Sequence, residues 1–229
     1  MRRWGLVTAA GLLACAASIA AWRVAVFTAS IATELDRASA LTSIAPRPQS
    51  TIVFDRHGKP AFSFFVEQRI SVPLERVSPS MTEAILAVED RRFFEHYGID
   101  PVRIAGAAWR NLRAGRIVEG GSTITQQLAR AAQLSSVKTY ERKIREVLVA
   151  ARLEERYSKR RILEEYLNTV YFGEGYYGVE AASRGYFGKS AADLSLADAA
   201  LLAALVRSPS VAPPWVSRER ARKRRNTGL

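Results

Sequence analysis

The stretch Val88-Glu-Asp-Arg-Arg-Phe-Phe-Glu-His-Tyr-Gly98 places three carboxylates and two guanidinium groups at the end of a predicted apolar helix. Glu89 lies four residues after Ile85 and four before Phe93, so helical spacing predicts that it faces the apolar side. Burial favours the neutral form of a carboxyl group, and such a group is suited to proton transfer near neutral pH. A surface ion-pair network is the alternative interpretation of the same residues.

A second polar stretch reads Glu119-Gly-Gly-Ser-Thr-Ile-Thr-Gln-Gln-Leu128. Its two glycines permit close backbone approach, and exposed amides at the start of the following helix can bind an anion or a sugar hydroxyl. The hydroxyl and amide side chains between Ser122 and Gln127 suit a carbohydrate. Polar decoration of a capped helix is the alternative.

The third stretch, Arg142-Lys-Ile-Arg-Glu146, puts Arg142, Lys143 and Glu146 on one face of a predicted helix. It lies in the window 101–150, which holds nine basic and three acidic residues, a net charge of +6. Arginine and lysine around one glutamate suit a pyrophosphate, because arginine binds it through two bonds and lysine neutralises it. A solvated helical face with intrahelical ion pairs is the alternative.

The whole chain of 229 residues carries 34 basic and 22 acidic side chains, a net charge of +12. Nucleic acid is the usual partner of so basic a protein. Much of the excess, however, lies at the ends: residues 1–50 carry +3 and residues 218–229 carry +5. The single cysteine, Cys15, excludes a disulfide framework and a cysteine-ligated zinc site.

The N-terminus has the pattern of a membrane anchor. An uncharged run, Gly5–Ala21, lies between Arg2-Arg3-Trp4 and Trp22-Arg23 and is long enough to span a bilayer. The arginines before it predict a cytoplasmic start, and the tryptophans fit the two interfaces. We therefore predict an uncleaved anchor over residues 1–32, in preference to a cleaved signal peptide or a core helix. The rest of the chain would then lie outside the cytoplasm, which argues against nucleic acid.

Beyond the anchor we expect a connector over 33–50, one domain over 51–215 and a basic tail over 216–229. Short strands are predicted at Thr51-Ile-Val-Phe54, 61–66 and 69–72. Periodicity and capping residues predict helices at 79 to about 94, 100 to about 113, 122–132, 139–157, 158–168 and 196–206. We predict a capping box of Ser195 and Asp198 before the last helix, and full burial of that helix.

Four ordered motifs together resemble the family 51 glycosyltransferases, the bacterial peptidoglycan polymerases. They are Glu89-Asp-Arg-Arg-Phe-Phe-Glu-His-x-Gly-x-Asp100, Gly120-Gly-Ser-Thr-Ile-Thr-Gln-Gln-Leu128, Arg142-Lys-x-x-Glu146 and Ile162-Leu-Glu-Glu-Tyr-Leu-Asn-x-Val-Tyr-Phe-Gly173. The resemblance runs from about Thr51 to Trp215. It covers monofunctional polymerases and the glycosyltransferase part of bifunctional class A penicillin-binding proteins.

The resemblance implies a mainly α fold: a lysozyme-like helical lobe, a small jaw lobe and a short β element, preceded by one transmembrane helix. It implies polymerisation of lipid II into β-1,4-linked glycan, with inversion and release of polyprenyl pyrophosphate. Matched by motif position, Glu89 is the general base and Glu146 is the second catalytic carboxylate. The substrate-binding positions implied in the same way are Ser122, Thr123, Gln126, Gln127, Arg130, Lys138, Lys143 and Arg145.

The implied partners are lipid II, the growing lipid-linked glycan, the membrane and other cell-wall synthesis proteins, and no nucleic acid. The implied location is the bacterial cytoplasmic membrane, with a single pass and the catalytic domain on its outer face. Members of the family often use a divalent cation, Mg²⁺ or Mn²⁺, and no organic cofactor, although the sequence contains no self-sufficient metal cage. Hydrolysis of peptidoglycan by a lysozyme-like domain and non-enzymatic binding of anionic lipid are the alternative functions.

Overall fold

The computed structural model describes residues 51–64, 68–132 and 140–206, together with scattered helical positions between 15 and 33. Its contacts divide the chain into two units, Met1–Thr42 and Ser43–Leu229. Among the described residues no helix combines the length and the apolar character needed to cross a membrane. Most of the predicted anchor, all but Thr33 of the connector, and the whole basic tail lie outside the described residues.

The second unit is mainly helical. Its helices are α1 (Pro79–Glu89), α2 (Pro101–Ala114), α3 (Ile124–Ala132), α4 (Tyr140–Arg156), α5 (Lys159–Thr169), α6 (Val179–Phe187) and α7 (Leu196–Val206). Its strands are β1 (Thr51–Phe54), β2 (Pro60–Phe64), β3 (Gln68–Arg69) and β4 (Tyr176–Tyr177). Short 3-10 turns occur at Leu74–Arg76, Phe93–Glu95 and Ala191–Asp193. The predicted fold class, mainly α with a small β element, is confirmed.

The strands form two small pairs. β1 and β2 are antiparallel, with Thr51 opposite Phe64, and the turn between them includes Gly58 at φ +74°. Glycine suits that position because it has no Cβ to clash in the left-handed region. β3 pairs in parallel with β4, which joins the start of the domain to a segment more than a hundred residues later. The predicted strands at 51–54 and 61–66 are confirmed by β1 and β2 within the described residues. The bounds predicted for the third strand, 69–72, are wrong, because β3 consists of Gln68–Arg69, and its pairing with β4 was not predicted.

The hydrophobic core lies among the helices. α1 packs against α7, and α3 packs against both α4 and α5. Fully buried side chains at these contacts include Met81, Ile85, Ile124, Leu128, Ile162, Leu167 and Leu202. Burying each such side chain contributes roughly 1.5–3 kcal/mol, so the core fixes α1 and α3 relative to each other.

Capping side chains begin several helices where the sequence predicts. Asp100 accepts a hydrogen bond from the Arg103 backbone N–H at 3.0 Å, and Ser158 caps α5 through Arg161 at 3.3 Å. At α3 the cap is Thr123, whose hydroxyl accepts from the Gln126 backbone N–H at 3.2 Å. Each bond satisfies an amide that the helix itself leaves unpaired, and each cap is worth about 1 kcal/mol.

Two helix predictions are wrong. α1 ends at Glu89 and not near Phe94, because Asp90 leaves the helical region (φ −161°) and bonds to other parts of the fold. α7 is not fully buried, since Leu196 in its first turn is 55% exposed. The apolar sequence of α7 is needed where it packs on α1, and the first turn of α7 is left exposed.

Candidate active site

Glu89 is the last residue of α1 and only 6% exposed, as its sequence position predicts. Its Oε2 accepts a hydrogen bond from Gln127 Nε2 at 2.6 Å. Within the described part of the chain, its Oε1 is buried and has no hydrogen-bond partner. A buried carboxylate with unused acceptor capacity is unusual in a stable core and common at functional sites. Glu89 is therefore held in place while its lone pairs remain available.

The neighbouring residue, Asp90, explains why α3 begins beside Glu89. Asp90 Oδ2 accepts a hydrogen bond from the Ile124 backbone N–H at 3.0 Å, and both carboxylate oxygens lie 3.1 Å from His96 Nε2. The carboxylate thus binds the positive end of α3, where anions are favoured. Gln127, one turn into α3, then lies within reach of Glu89.

A second contact, made by Thr123, also fixes the start of α3. The Thr123 hydroxyl donates to the Gly98 carbonyl at 2.7 Å and is completely buried. Thr123 is thus buried and bonded within the fold, and its role in substrate binding stays a prediction.

Lys143 on α4 connects most of the remaining predicted residues. Its ammonium donates to Ser122 Oγ at 2.9 Å, to Gln126 Oε1 at 3.1 Å and to Glu146 Oε2 at 3.0 Å. These bonds use all three donors of a lysine. Glu146 is 2% exposed and also pairs with Arg142, so its charge is balanced by two cations. The described structure holds this group together as one ion-pair network.

The cleft above these residues has a volume of about 220 Å³. Its walls combine a carboxylate, two guanidinium groups, one hydroxyl and one amide side chain. The residues that line it are Glu89, Arg103, Gly120, Ser122, Gln127, Arg130 and Val206. Two guanidinium groups and a buried carboxylate in the walls of one cleft favour a substrate that carries both an anionic group and a hydroxyl.

The predicted residues differ in how they relate to the cleft. Glu89, Ser122, Gln127 and Arg130 line the cleft, and Gln126, Lys143 and Glu146 are joined to it through Ser122. Arg145 lies half-buried on α4 and is not among the residues that line the cleft. Lys138 lies outside the described residues.

Sequence reasoning did not identify Arg103 as a site residue. It lies in the first turn of α2, lines the cleft, and donates from Nη1 to the Glu89 backbone carbonyl at the end of α1. A cation in the first turn of a helix opposes the helix dipole, which is the signal that could have identified it. Its guanidinium instead complements the negative end of α1.

Tyr166 on α5 was also not identified. It is 2% exposed, and its hydroxyl donates to Gln127 Oε1 at 3.2 Å. Burial, with a further contribution from the nearby Glu89 charge, raises the pKa of the Tyr166 phenol well above its ordinary value. The phenol therefore stays protonated, and remains a donor, at any physiological pH.

The described residues do not fit a resident divalent cation. Asp90, His96 and Asp100 bring their ligand atoms within 4.8 Å of one another. Both carboxylates, however, already accept hydrogen bonds from backbone N–H groups in the first turns of helices, at Ile124 of α3 and Arg103 of α2. Glu146 is neutralised by Arg142 and Lys143, which would repel a metal ion.

The geometry defines a class of protein: a helical domain with a cleft whose buried carboxylate and two arginines are suited to acid–base chemistry on an anionic substrate. The model of the transglycosylase family matches residues 57–229, and the chain belongs to that family. Penicillin-binding protein 1A of Aquifex aeolicus (strain VF5) is 48% identical over 182 residues, which cover 80% of this chain and 25% of that protein. Penicillin-binding protein 2D of Bacillus subtilis (strain 168) is 48% identical over 181 residues, covering 79% and 26%.

The chain thus spans about a quarter of the length of these curated relatives. A crystal structure of penicillin-binding protein 1A from Haemophilus influenzae aligns with 80% of this chain and 17% of that one. Its sequence identity is 23% and its TM-score is 0.40, which is too low to bear on the details of the fold.

Proposed function

We propose that this protein is a peptidoglycan glycosyltransferase that polymerises lipid II into β-1,4-linked glycan. The observation that carries the proposal is the buried Glu89 carboxylate in a cleft that Arg103 and Arg130 also line. Membership of the transglycosylase family, and relatives named as penicillin-binding proteins, give it independent support.

In this proposal Glu89 is the general base. Its carboxylate takes the proton from the 4-hydroxyl of the acceptor sugar as that oxygen attacks the anomeric carbon of the donor. The bond from that carbon to the pyrophosphate oxygen breaks, and the anomeric configuration inverts. Gln127, bonded to Glu89 Oε2, holds the carboxylate in orientation. A positioned base of this kind contributes roughly 10²- to 10⁴-fold to the rate.

The cations supply the second contribution, because negative charge grows on the departing polyprenyl pyrophosphate. Arg103 and Arg130 line the cleft and would bind that charge directly. Lys143 is occupied by Ser122, Gln126 and Glu146, so we assign it and Glu146 to holding the sugar-facing start of α3. A divalent cation, if the reaction needs one, would arrive bound to the substrate pyrophosphate, since the described residues offer it no cage.

We further propose that the protein works at the outer face of the bacterial cytoplasmic membrane, anchored by its N-terminal segment. The helical core around α1 and α3 would be the lysozyme-like lobe, and α2 with the residues up to Val118 would belong to the membrane-proximal jaw lobe. Six large apolar side chains of this segment are exposed, which supports contact with lipid: Val102, Ile104, Trp109, Leu112, Ile117 and Val118. The growing lipid-linked glycan and other cell-wall synthesis proteins would be its partners there.

The test is incubation of the full chain with labelled lipid II and sizing of the products. Long glycan is expected from the wild type, and Glu89→Gln should reduce its rate of formation at least about 100-fold, because the amide cannot accept the proton. Glu83→Gln is the matched control, since Glu83 lies on the same helix and is exposed. Free disaccharide, unchanged lipid II, or an active Glu89→Gln variant would contradict the proposal.

A further inference from the structure

The Tyr166 hydroxyl begins a chain of two hydrogen bonds that ends on Glu89. It donates to Gln127 Oε1 at 3.2 Å, and Gln127 Nε2 donates to Glu89 Oε2 at 2.6 Å. The three residues come from α5, α3 and α1, so the chain links three helices of the core. Tyr166 itself is not among the residues that line the cleft.

The direction of this chain follows from chemistry. An amide side chain presents an acceptor on one side and donors on the other. While a neutral phenol donates to Oε1, the amide must present Nε2 to Glu89. A turned amide would instead place its oxygen against the carboxylate, with two acceptors facing each other, and it would leave the buried phenol proton without that partner.

A donor aimed at a carboxylate favours its ionised form. We therefore propose, resting on the proposed function, that Tyr166 is a positioning residue that acts through Gln127. It fixes the direction of the Gln127 amide and so keeps Glu89 oriented and ready to accept a proton. The general base would thereby depend on a residue of α5 that never touches the substrate.

Other charges also face this chain and contribute to its electrostatics. Besides Glu89, the charged groups that act on the Tyr166 phenol are Arg130 on α3, Asp90 after α1 and Arg103 on α2. Two are cationic and one is anionic, and none is altered when only the Tyr166 hydroxyl is removed. A change seen on that removal can therefore be assigned to the hydrogen-bond chain.

The test is Tyr166→Phe in the full chain, compared with Tyr186→Phe. Tyr186 is matched because its hydroxyl also donates a structural hydrogen bond, to the Phe172 carbonyl at 2.9 Å, outside the cleft. Tyr166→Phe should lower the turnover number for lipid II about 5- to 10-fold and move the acid limb of its pH profile upward by at least about half a pH unit. Tyr186→Phe should change neither quantity.

A double-mutant cycle separates the proposed route from a general structural effect. If Tyr166 acts through Gln127, adding Tyr166→Phe to Gln127→Ala should change the turnover number for lipid II less than about twofold. An equal loss in the Gln127→Ala background, or an unchanged pH profile in Tyr166→Phe, would overturn the inference.

A measurement without turnover separates this inference from the proposed function. The titration midpoint of the Glu89 carboxyl can be followed by carbon NMR and assigned by its absence in Glu89→Gln. It should lie at higher pH in Tyr166→Phe than in the wild type, whether or not lipid II is consumed. An inactive wild type with this difference would contradict only the function, and an active wild type without it would contradict only the inference.

Discussion

Arg103 is the residue whose removal best tests how charge is used in the cleft. Its guanidinium lines the cleft and also donates to the Glu89 backbone carbonyl, so on the proposed function it would join the leaving-group region to the base. Arg103→Ala should lower kcat/KM for lipid II about 10- to 100-fold, because a fixed cation near the departing pyrophosphate is lost. The kcat/KM of Arg103→Lys should lie between those of the wild type and Arg103→Ala, since lysine keeps the charge but cannot form the paired hydrogen bonds of a guanidinium.

The control for that prediction is Arg152→Ala. Arg152 is exposed on α4 and pairs with Glu155 at 2.8 Å, and such surface pairs contribute little. Initial rates and thermal unfolding should be measured for all the variants together. If Arg103→Ala unfolds at the wild-type temperature and keeps the wild-type rate, Arg103 has no part in catalysis.

The sequence predicts that Glu89 is buried, but the predicted cause, a continuous helix from Ile85 to Phe93, is wrong. Phe93 is not one turn beyond Glu89 on a continuous helix, because α1 has already ended. Gln127 bonds to Glu89 from 38 residues away along the chain, and Tyr166 bonds to Gln127 from 39 residues further on. No periodicity within one helix predicts such a contact, which depends on how the helices pack.

At the scale of elements, α7 begins with a cap that depends on ionisation. Asp198 accepts hydrogen bonds from Lys189 and from Ser195, whose backbone N–H lies 3.0 Å away. Burial raises the pKa of Asp198, but the bonds from Lys189 and Ser195 outweigh burial and leave the pKa below its ordinary value. The predicted capping box is therefore confirmed, with a lysine added to it.

This cap should make stability depend on pH. Because the folded-state pKa of Asp198 is below the unfolded value, the stabilisation is complete above that unfolded value and is lost as the pH falls through the folded one. Asp198→Ala should lower the free energy of unfolding by about 1 kcal/mol at pH 7 and by much less near pH 3.

Urea unfolding at the two pH values measures this difference. Asp193→Ala is the control, because Asp193 is exposed in the neighbouring 3-10 turn. An equal loss of stability at both pH values for Asp198→Ala would mean that its charge does not support the cap.

Helix starts are more predictable than helix ends in this chain. Caps such as Asp100, Ser158 and Ser195 act within three residues, so the local sequence contains the whole interaction. The end of α1 is set instead by Asp90, whose bond to Ile124 spans 34 residues. That bond also holds the start of α3 beside Glu89. The interaction that ends α1 earlier than predicted is therefore one that forms the site.

At the scale of the whole molecule, the charge of the window 101–150 has two uses. Arg103, Arg130, Arg142 and Lys143 are part of the cleft and its supporting network. Arg110 pairs with Glu119 on the surface, and Arg113 and Arg116 are exposed around the end of α2. The net charge of this window predicts an anionic ligand. Only the fold shows which of its basic residues belong to the cleft and which lie on the exposed surface around α2.

On the exposed side of α2, the apolar residues form a stripe along the helix. Val102, Trp109 and Leu112 are separated by seven and three residues, so they lie on one side of α2, and they are at least 60% exposed. Apolar side chains flanked by arginines suit insertion at the boundary of an anionic lipid bilayer. On the proposed function, this side of α2 would face the membrane that holds the substrate.

The double variant Trp109→Ser, Leu112→Ser tests that placement. Its rate on lipid II embedded in anionic bilayers should fall about 10-fold, because less apolar area enters the lipid. Its rate on a short-chain, water-soluble lipid II analogue should stay at the wild-type value, because neither residue lines the cleft. Leu196→Ser is the control, since Leu196 is a similarly exposed apolar side chain on α7. Equal losses on both substrates would indicate damage to the fold, and no loss on either would show that α2 does not engage the bilayer.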